Sequence, residues 1–236
     1  MTTQDLSTDP TPSPGFLTGI WAGLPIVLGY FPIAFSFGVA ATRAGLTGLE
    51  AVFLSLVIYA GASQFLALVL FTGGAPVLVA AFTLIAMNVR HVLYGPALMK
   101  QAGKGASRRL AWAWAWGLTD EVFGQALGAL ARGQQFSERY MFGLGLAAYA
   151  AWVSGTALGA WAGGGALEAY PALNAGLGFM LAALFLSLLL SIMSRAALPA
   201  IGVAAIATVV GTLVFSGTTG ILMGMIGGAL AGMVRK

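Results

Sequence analysis

The stretch AVFLSLVIYAGASQFLALVLFTGGAPVLVAAFTLIAMNV, residues 51–89, runs for 39 residues without an Asp, Glu, Lys or Arg. A helix rises about 1.5 Å per residue and the hydrocarbon core of a bilayer is about 30 Å thick, so about 20 residues cross it once. The stretch is long enough for two crossings, and the turn-forming residues 71–76 (FTGGAP) are where it divides. Further uncharged runs cover residues 10–42, 140–167, 169–194 and 196–234.

The composition of the whole chain fits a membrane protein. It is 59% hydrophobic and 8% charged, whereas soluble domains carry about 25% charged residues. We therefore predict an all-α integral membrane protein. Because the chain has no Cys and one His, disulfide scaffolds, thiol catalysis and multi-His or Cys-ligated metal sites are excluded, and we expect no metal and no cofactor. The basic residues are too dispersed for nucleic-acid binding.

The uncharged runs and their turns define seven predicted crossings. These are residues 16–42, 50–70, 76–99, 139–163, 172–194, 197–215 and 218–234. Residues 1–15 are polar and proline-rich, which predicts a short disordered tail, and without a basic start they do not resemble a signal peptide. We expect residues 16–236 to form a single polytopic membrane domain.

The segment at residues 107–133 is compatible with two membrane topologies. Two uncharged stretches of ten residues flank Asp120 and Glu121, so the segment either crosses the bilayer with both carboxylates at its middle or re-enters as a hairpin with residues 119–121 at its tip. A crossing divides the Lys and Arg of loops and tails five against five, whereas re-entry places ten on one face. We predict seven crossings plus a re-entrant helical hairpin, with the N-terminus outside and the C-terminus cytoplasmic.

Four ionisable residues are expected at bilayer depth. Arg90 and His91 lie near the middle of the third predicted span, and Asp120 and Glu121 lie in the middle of the re-entrant segment. A charged group there costs about 2.5–3.5 kcal/mol on insertion scales, so it needs a partner. We expect Arg90 to pair with Asp120 or Glu121, either as a staple between helices or as a group that serves substrate or proton coupling.

Two polar side chains of the third span share one helix face. Asn88 and His91 are three residues apart, so they point the same way, and His91 is either a helix contact or a proton relay. Tyr94 is expected to pack as an aromatic side chain in the bundle, with membership of the same polar wall as the alternative.

Helix breaks are predicted near the middle of the first two spans, at Gly29 and Pro32 and at residues 59–64. A broken helix frees backbone N–H and C=O groups, which suit the carboxylate and ammonium of a small zwitterion, as in secondary transporters. The alternative at each break is a kink with small-residue packing.

Glycines recur every fourth residue in two spans, which predicts close helix packing within the chain or against another subunit. They are Gly155, Gly159 and Gly163, and Gly220, Gly224, Gly228 and Gly232.

Four motifs in order along the chain resemble the AzlC family, the large subunits of AzlC/AzlD-type branched-chain amino acid exporters. They lie at residues 23–38, 59–65, 88–91 and 118–121. The C-terminal half departs from the family pattern, because Asn174 stands where an acidic residue is expected.

The resemblance implies a secondary transporter subunit that exports leucine, isoleucine and valine, with methionine as a further candidate, across the bacterial cytoplasmic membrane. It implies a small AzlD-like membrane subunit as partner, and we add proton coupling as an expectation. Phe31 and Phe65 are candidate walls for the side-chain pocket, with core packing as the alternative. The candidate substrate-binding residues are Tyr30, Tyr59, Gly61, Ser63, Gln64, Asn88, Asp120 and Glu121; those for coupling or an ion pair are Arg90, His91, Asp120 and Glu121.

Two other classes compete with a transporter. A passive channel for a small solute would share the broken helices, and accumulation against a gradient distinguishes the two. An intramembrane hydrolase would use Ser63 as nucleophile, His91 as base and Asp120 to orient it. Ser63 lacks the Gly-x-Ser-x-Gly elbow and the chain has no His-Glu-x-x-His pair. We therefore predict that the chain is not an enzyme.

Overall fold

The computed structural model describes residues 13–165 and 169–233, and all secondary structure within them is helical. A 3₁₀ turn at Ala115–Gly117 separates the sixth and seventh α-helices. The α-helices are α1 (Phe16–Arg43), α2 (Gly48–Val57), α3 (Gly61–Thr72), α4 (Val77–Asn88), α5 (His91–Ala102), α6 (Ala111–Trp114), α7 (Asp120–Ala131), α8 (Glu138–Gly163), α9 (Pro171–Ile192), α10 (Leu198–Val214) and α11 (Gly217–Met233).

Three helical stretches in the described residues are long and apolar enough to cross a membrane. They are α1, α8 and the continuous stretch Val77–Ala102 formed by α4 and α5. The shorter apolar helices are α2, α3, α10 and α11. The prediction of an all-α membrane protein is confirmed, and each predicted crossing coincides with one helix or with two consecutive helices.

The chain divides into two compact units. Among the described residues, the first unit contains those up to Leu28 together with Arg90–Ala150, and the second contains Gly29–Val89 together with those from Ala151 onward. Most of the predicted tail, residues 1–12, lies outside the described residues, as do Arg235, Lys236 and the side chain of Asn174.

Glycine contacts hold the helices of the first unit together. A Cβ on Gly19 would meet the carbonyl oxygen of Tyr140, and a Cβ on Gly143 would meet that of Phe16, so the start of α1 lies backbone to backbone against α8. The 3₁₀ turn packs on α8 in the same way, since a Cβ on Gly117 would lie 3.1 Å from the Cα of Gly145.

Six of the seven glycines in the repeats that the sequence singles out pack inside the second unit, whereas Gly232 has open space around it. Gly155, Gly159 and Gly163 face α1, where a Cβ on Gly159 would meet the carbonyl oxygen of Phe35. Gly220, Gly224 and Gly228 face α10. Small residues let helix backbones approach closely, which is the contact that stabilises helix pairs in lipid. At these positions the packing partner is therefore the chain itself.

The helix break predicted in the first span is wrong. Helix α1 runs without interruption from Phe16 to Arg43, through both Gly29 and Pro32. A proline removes one backbone hydrogen bond, and membrane helices tolerate this when neighbouring helices hold the segment. Such neighbours are present, because Gly155 approaches the carbonyl oxygen of Phe31.

The break predicted in the second span is present. Helix α2 ends at Val57, α3 begins at Gly61, and Ala60 between them is extended. Tyr59 has φ 35°, a left-handed conformation that is uncommon for a residue with a side chain.

The packing of α11 on α10 can be tested with two glycines of the same helix. In Gly224→Ala, the new Cβ meets the hydroxyl of Thr208 and lies 3.0 Å from the carbonyl oxygen of Ala204, so we expect a loss of about 1–3 kcal/mol from overpacking. Gly232→Ala is the matched control, because its Cβ has open space and alanine favours a helix. Thermal unfolding in detergent measures both. Equal unfolding temperatures for the two variants would contradict this packing.

Candidate functional site

The break between α2 and α3 lies beside a buried chain of hydrogen bonds in the second unit. The indole Nε1 of Trp152 donates to Gln64 Oε1 over 2.6 Å, and Gln64 Nε2 donates to Ser55 Oγ over 2.9 Å. The hydroxyls of Ser55 and Thr156 are 2.7 Å apart. We call these four residues the Gln64 network. Gln64, Ser55 and Thr156 have no exposed surface, so the network joins α2, α3 and α8 through fully buried side chains.

Packing around Trp152 explains two further candidate residues. A Cβ on Gly61 would lie 2.6 Å from Cη2 of Trp152, so the first residue of α3 has to be small for the indole to fit. Tyr30 packs edge-on against the same indole, with ring centroids 5.3 Å apart. Gly61, Gln64 and Tyr30, all predicted to bind substrate, thus take part in holding the break in place. Direct contact of these residues with a substrate stays a prediction.

Ser63 and Asn88 meet in the second unit, where the Ser63 hydroxyl donates to Asn88 Oδ1 over 3.0 Å. Asn88 Nδ2 in turn donates to the carbonyl oxygen of Leu84 over 2.9 Å. Ser63 is buried, and its contact joins α3 to the last turn of α4. The hydroxyl proton is therefore directed to an amide oxygen, which differs from the arrangement of a serine nucleophile.

Arg90 pairs with Asp120 in the first unit. Its Nη2 lies 2.8 Å from Asp120 Oδ2, and the two side chains are 49% and 32% exposed. The other carboxylate oxygen, Oδ1, accepts a hydrogen bond from the hydroxyl of Tyr94. We call Arg90, Tyr94 and Asp120 the ion-pair cluster. Of the two carboxylates that the sequence offers to Arg90, the structure uses Asp120 for the ion pair.

The start of α7 orients the Asp120 carboxylate. Thr119 caps the helix, its hydroxyl accepting from the backbone N–H of Val122 over 3.3 Å. Asp120 and Glu121 occupy the first turn of α7, where the helix dipole favours negative charge. Glu121 is exposed there.

Aromatic contacts position Tyr94 on the other side of the cluster. Its ring stacks on Phe123 with centroids 4.7 Å apart and 11° between the planes. His91 packs edge-on against Tyr94 at 5.2 Å. The sequence offers two roles for Tyr94, aromatic packing and membership of a polar wall, and the structure shows both ring packing and a hydrogen bond to Asp120. The sequence leaves only the identity of the polar partner on α7 unpredicted.

Glu138, the first residue of α8, is hydrogen-bonded to the start of the segment at residues 107–133. Glu138 Oε1 accepts from the backbone N–H of Leu110 over 2.8 Å and from the indole of Trp114 over 3.3 Å. Its Oε2 accepts from the hydroxyl of Ser107 over 3.0 Å. The sequence gives no hint of this role, since Glu138 follows the segment by several residues.

The fold and these clusters define the class of the protein: an all-helical membrane protein with an ion pair near the middle of one span and a helix broken beside a buried polar network. The family model described as AzlC protein matches residues 25–165, which include both the ion-pair cluster and the Gln64 network. The chain belongs to the AzlC family.

Relatives from bacteria and archaea agree with this assignment. The chain is 42% identical to inner membrane protein YgaZ of Escherichia coli, over 97% of this chain and 95% of that protein. It is 39% identical to a membrane protein of Archaeoglobus fulgidus over 74% of each chain. It is 26% identical to the branched-chain amino acid transport protein AzlC of Bacillus subtilis, over 69% of this chain and 62% of that protein. No solved structure shows a significant match.

The Gln64 network can be tested with two tryptophans of α8. Trp152→Phe removes the indole donor and leaves the buried Gln64 Oε1 without it, which we expect to cost about 1–3 kcal/mol. Trp161→Phe is the control, because Trp161 is 76% exposed. Thermal unfolding in detergent compares them, and a Trp152→Phe protein as stable as the Trp161→Phe protein would show that the hydrogen bond contributes nothing.

Proposed function

We propose that this chain is the large subunit of a secondary transporter that exports branched-chain amino acids across the bacterial cytoplasmic membrane. Leucine, isoleucine and valine are the expected substrates, methionine is a further candidate, and a small AzlD-like subunit is the partner. The name of the Bacillus subtilis relative supports the substrate class, and that of the Escherichia coli relative supports the inner membrane. Proton coupling through the charged residues of the first unit is part of the proposal.

The observation that carries the proposal is the ion-pair cluster. Arg90 lies near the middle of the Val77–Ala102 span, and its side chain is half exposed. Exposure of a guanidinium to lipid at this depth is unfavourable by about 2.5–3.5 kcal/mol, so a half-exposed arginine favours a water-accessible cavity. Charged and polar groups lining a cavity at mid-membrane are typical of transporter substrate sites.

The contacts of the proposed triad residues favour a transporter over a hydrolase. Ser63 donates to Asn88, while the two oxygens of Asp120 accept from Arg90 and Tyr94. The passive channel stays the closer competitor, since it would share the helix break between α2 and α3.

Leucine efflux tests the proposed function. Cells that express the chain with its presumed partner are preloaded with labelled leucine, and efflux is compared for the wild type and Asp120→Asn. A hydrogen bond to a charged group contributes about 1.5–3 kcal/mol, so we expect the substitution to slow efflux by about ten- to hundred-fold. Lys104→Gln, which removes a charge from an exposed loop residue, is the control and keeps wild-type efflux.

Accumulation against a gradient then separates the competing functions. A coupled exporter lowers internal leucine below the external concentration, whereas a channel brings the two to equality. A wild-type chain that is present in the membrane with its partner and moves no branched-chain amino acid would contradict both.

We also propose that residues 107–133 form a re-entrant hairpin, with the N-terminus of the chain outside and the C-terminus cytoplasmic. The contacts of Glu138 with Ser107 and Leu110 support this. They join the start of the segment to Glu138, five residues after its end, whereas a crossing would separate the two sides by about 30 Å. The ten-to-zero division of Lys and Arg supports the same topology.

Single cysteines test the topology on a chain that contains none of its own. Lys104→Cys precedes the segment and Gln135→Cys follows it, and both positions are exposed. We expect a membrane-impermeant maleimide to label both from the cytoplasmic side, and to label the control Ala75→Cys, between the second and third spans, from outside. Labelling of positions 104 and 135 from opposite sides would show that the segment crosses.

A further inference from the structure

The division of the two Asp120 oxygens leaves the Arg90 guanidinium with capacity for a second anion. Tyr94 donates to Oδ1, while the 2.8 Å contact of Arg90 is made with Oδ2. A guanidinium has five N–H donors in a planar fork and binds carboxylates best through two parallel hydrogen bonds. A carboxylate that brings two oxygens would therefore compete well with Asp120 for Arg90.

The head of an α-amino acid has the complementary chemistry. It carries a carboxylate and an ammonium on adjacent atoms of one carbon, and the cluster presents a cation and an anion 2.8 Å apart. Both protein side chains are partly exposed, at 49% and 32%, so a small molecule can reach each of them. The carboxylate of the substrate matches Arg90, and its ammonium matches Asp120.

Building on the function proposed above, we infer that the Arg90–Asp120 pair recognises the substrate by exchange. The amino acid carboxylate replaces Asp120 on Arg90, the ammonium replaces Arg90 on Asp120, and the protein pair forms again when the amino acid leaves. Tyr94 stays on Oδ1 throughout, because its ring is fixed by stacking on Phe123, and so keeps the carboxylate in place for the incoming ammonium.

The exchange has a consequence for charge and for selectivity. One arginine and one aspartate sum to zero, and a zwitterion adds no net charge, so the empty and loaded sites are equally neutral. Compounds with the same hydrocarbon chain but a single charge leave one member of the pair unmatched. The site therefore selects the α-amino acid head, independently of the pocket that receives the side chain.

The test is competition for labelled L-leucine on the purified full-length chain together with its proposed partner. The probes are unlabelled L-leucine, 4-methylpentanoate, which lacks the ammonium, and 3-methylbutylamine, which lacks the carboxylate. For the wild type we expect both single-charge probes to compete at least about tenfold more weakly than leucine, the ratio that one unmatched charge of about 1.4 kcal/mol produces.

Two variants should change this preference in opposite directions. Asp120→Asn leaves Arg90 with its charge unmatched, so 4-methylpentanoate gains affinity relative to leucine by about tenfold, measured directly with the labelled acid. Arg90→Gln leaves Asp120 unmatched, so labelled 3-methylbutylamine gains relative affinity instead. A misfolded variant would lose all binding, so reciprocal gains cannot arise from damage. Lys104→Gln keeps the wild-type preference.

Several results would overturn the exchange. If the pair only holds two helices together, both variants lose thermal stability and neither changes its preference among the probes. Equal competition by the three probes on the wild type would also exclude the exchange, without contradicting the proposal that the protein transports leucine. A folded wild-type chain that, together with its proposed partner, neither binds nor moves leucine refutes the proposed function and the exchange together. Failure of the function is thus seen in the wild type, and failure of the exchange alone in the probes and variants.

Discussion

An arginine near the middle of a membrane span has to be neutralised, and much of the first unit is arranged around that need. The counter-charge comes from Asp120, at the first turn of a helix whose dipole and Thr119 cap favour a carboxylate there. Tyr94 and Phe123 stack to hold the other oxygen of that carboxylate. The hydrogen bond from the backbone N–H of Leu110 to Glu138 fixes the start of the segment that carries Asp120. These contacts together position the Asp120 carboxylate opposite Arg90, and without the arginine that carboxylate would have no counter-charge in the pair.

The second unit solves a different problem, which is to bury polar groups in an apolar bundle. Helix α8 does so with two adjacent faces. Gly155 and Gly159 bring it into backbone contact with α1, while Trp152 and Thr156, one turn apart, present polar atoms to Gln64 and Ser55. Each polar atom of the Gln64 amide has a partner, so the broken end of α3 is held by hydrogen bonds rather than by apolar packing alone.

The sequence predicts features that follow from the rarity of charged residues or from the regular spacing of glycines. Charges are rare enough that Arg90 has two candidate partners, and glycines at every fourth residue predict close packing correctly at every repeat position except Gly232. Predicting that Arg90 pairs with Asp120 rather than Glu121 requires the orientation of α7. Predicting that the glycines pack within the chain rather than against another subunit requires the position of the neighbouring helix. The partners of Gln64 lie on other helices, Trp152 being 88 residues away, and no local pattern links them. Pro32 misleads because one missing hydrogen bond does not end a helix that its neighbours support.

The coupling between Arg90 and Asp120 is the most direct test of this account. Unfolding temperatures are measured in detergent, without amino acid, for the wild type, Arg90→Gln, Asp120→Asn and the double variant. Each single substitution leaves the remaining charge without its partner, whereas the double substitution removes both charges. The account predicts that the double variant loses clearly less than the sum of the two single losses, as expected for a pair coupled by about 1 kcal/mol or more. Losses that simply add would contradict the ion pair on which the structure and the proposed substrate recognition depend.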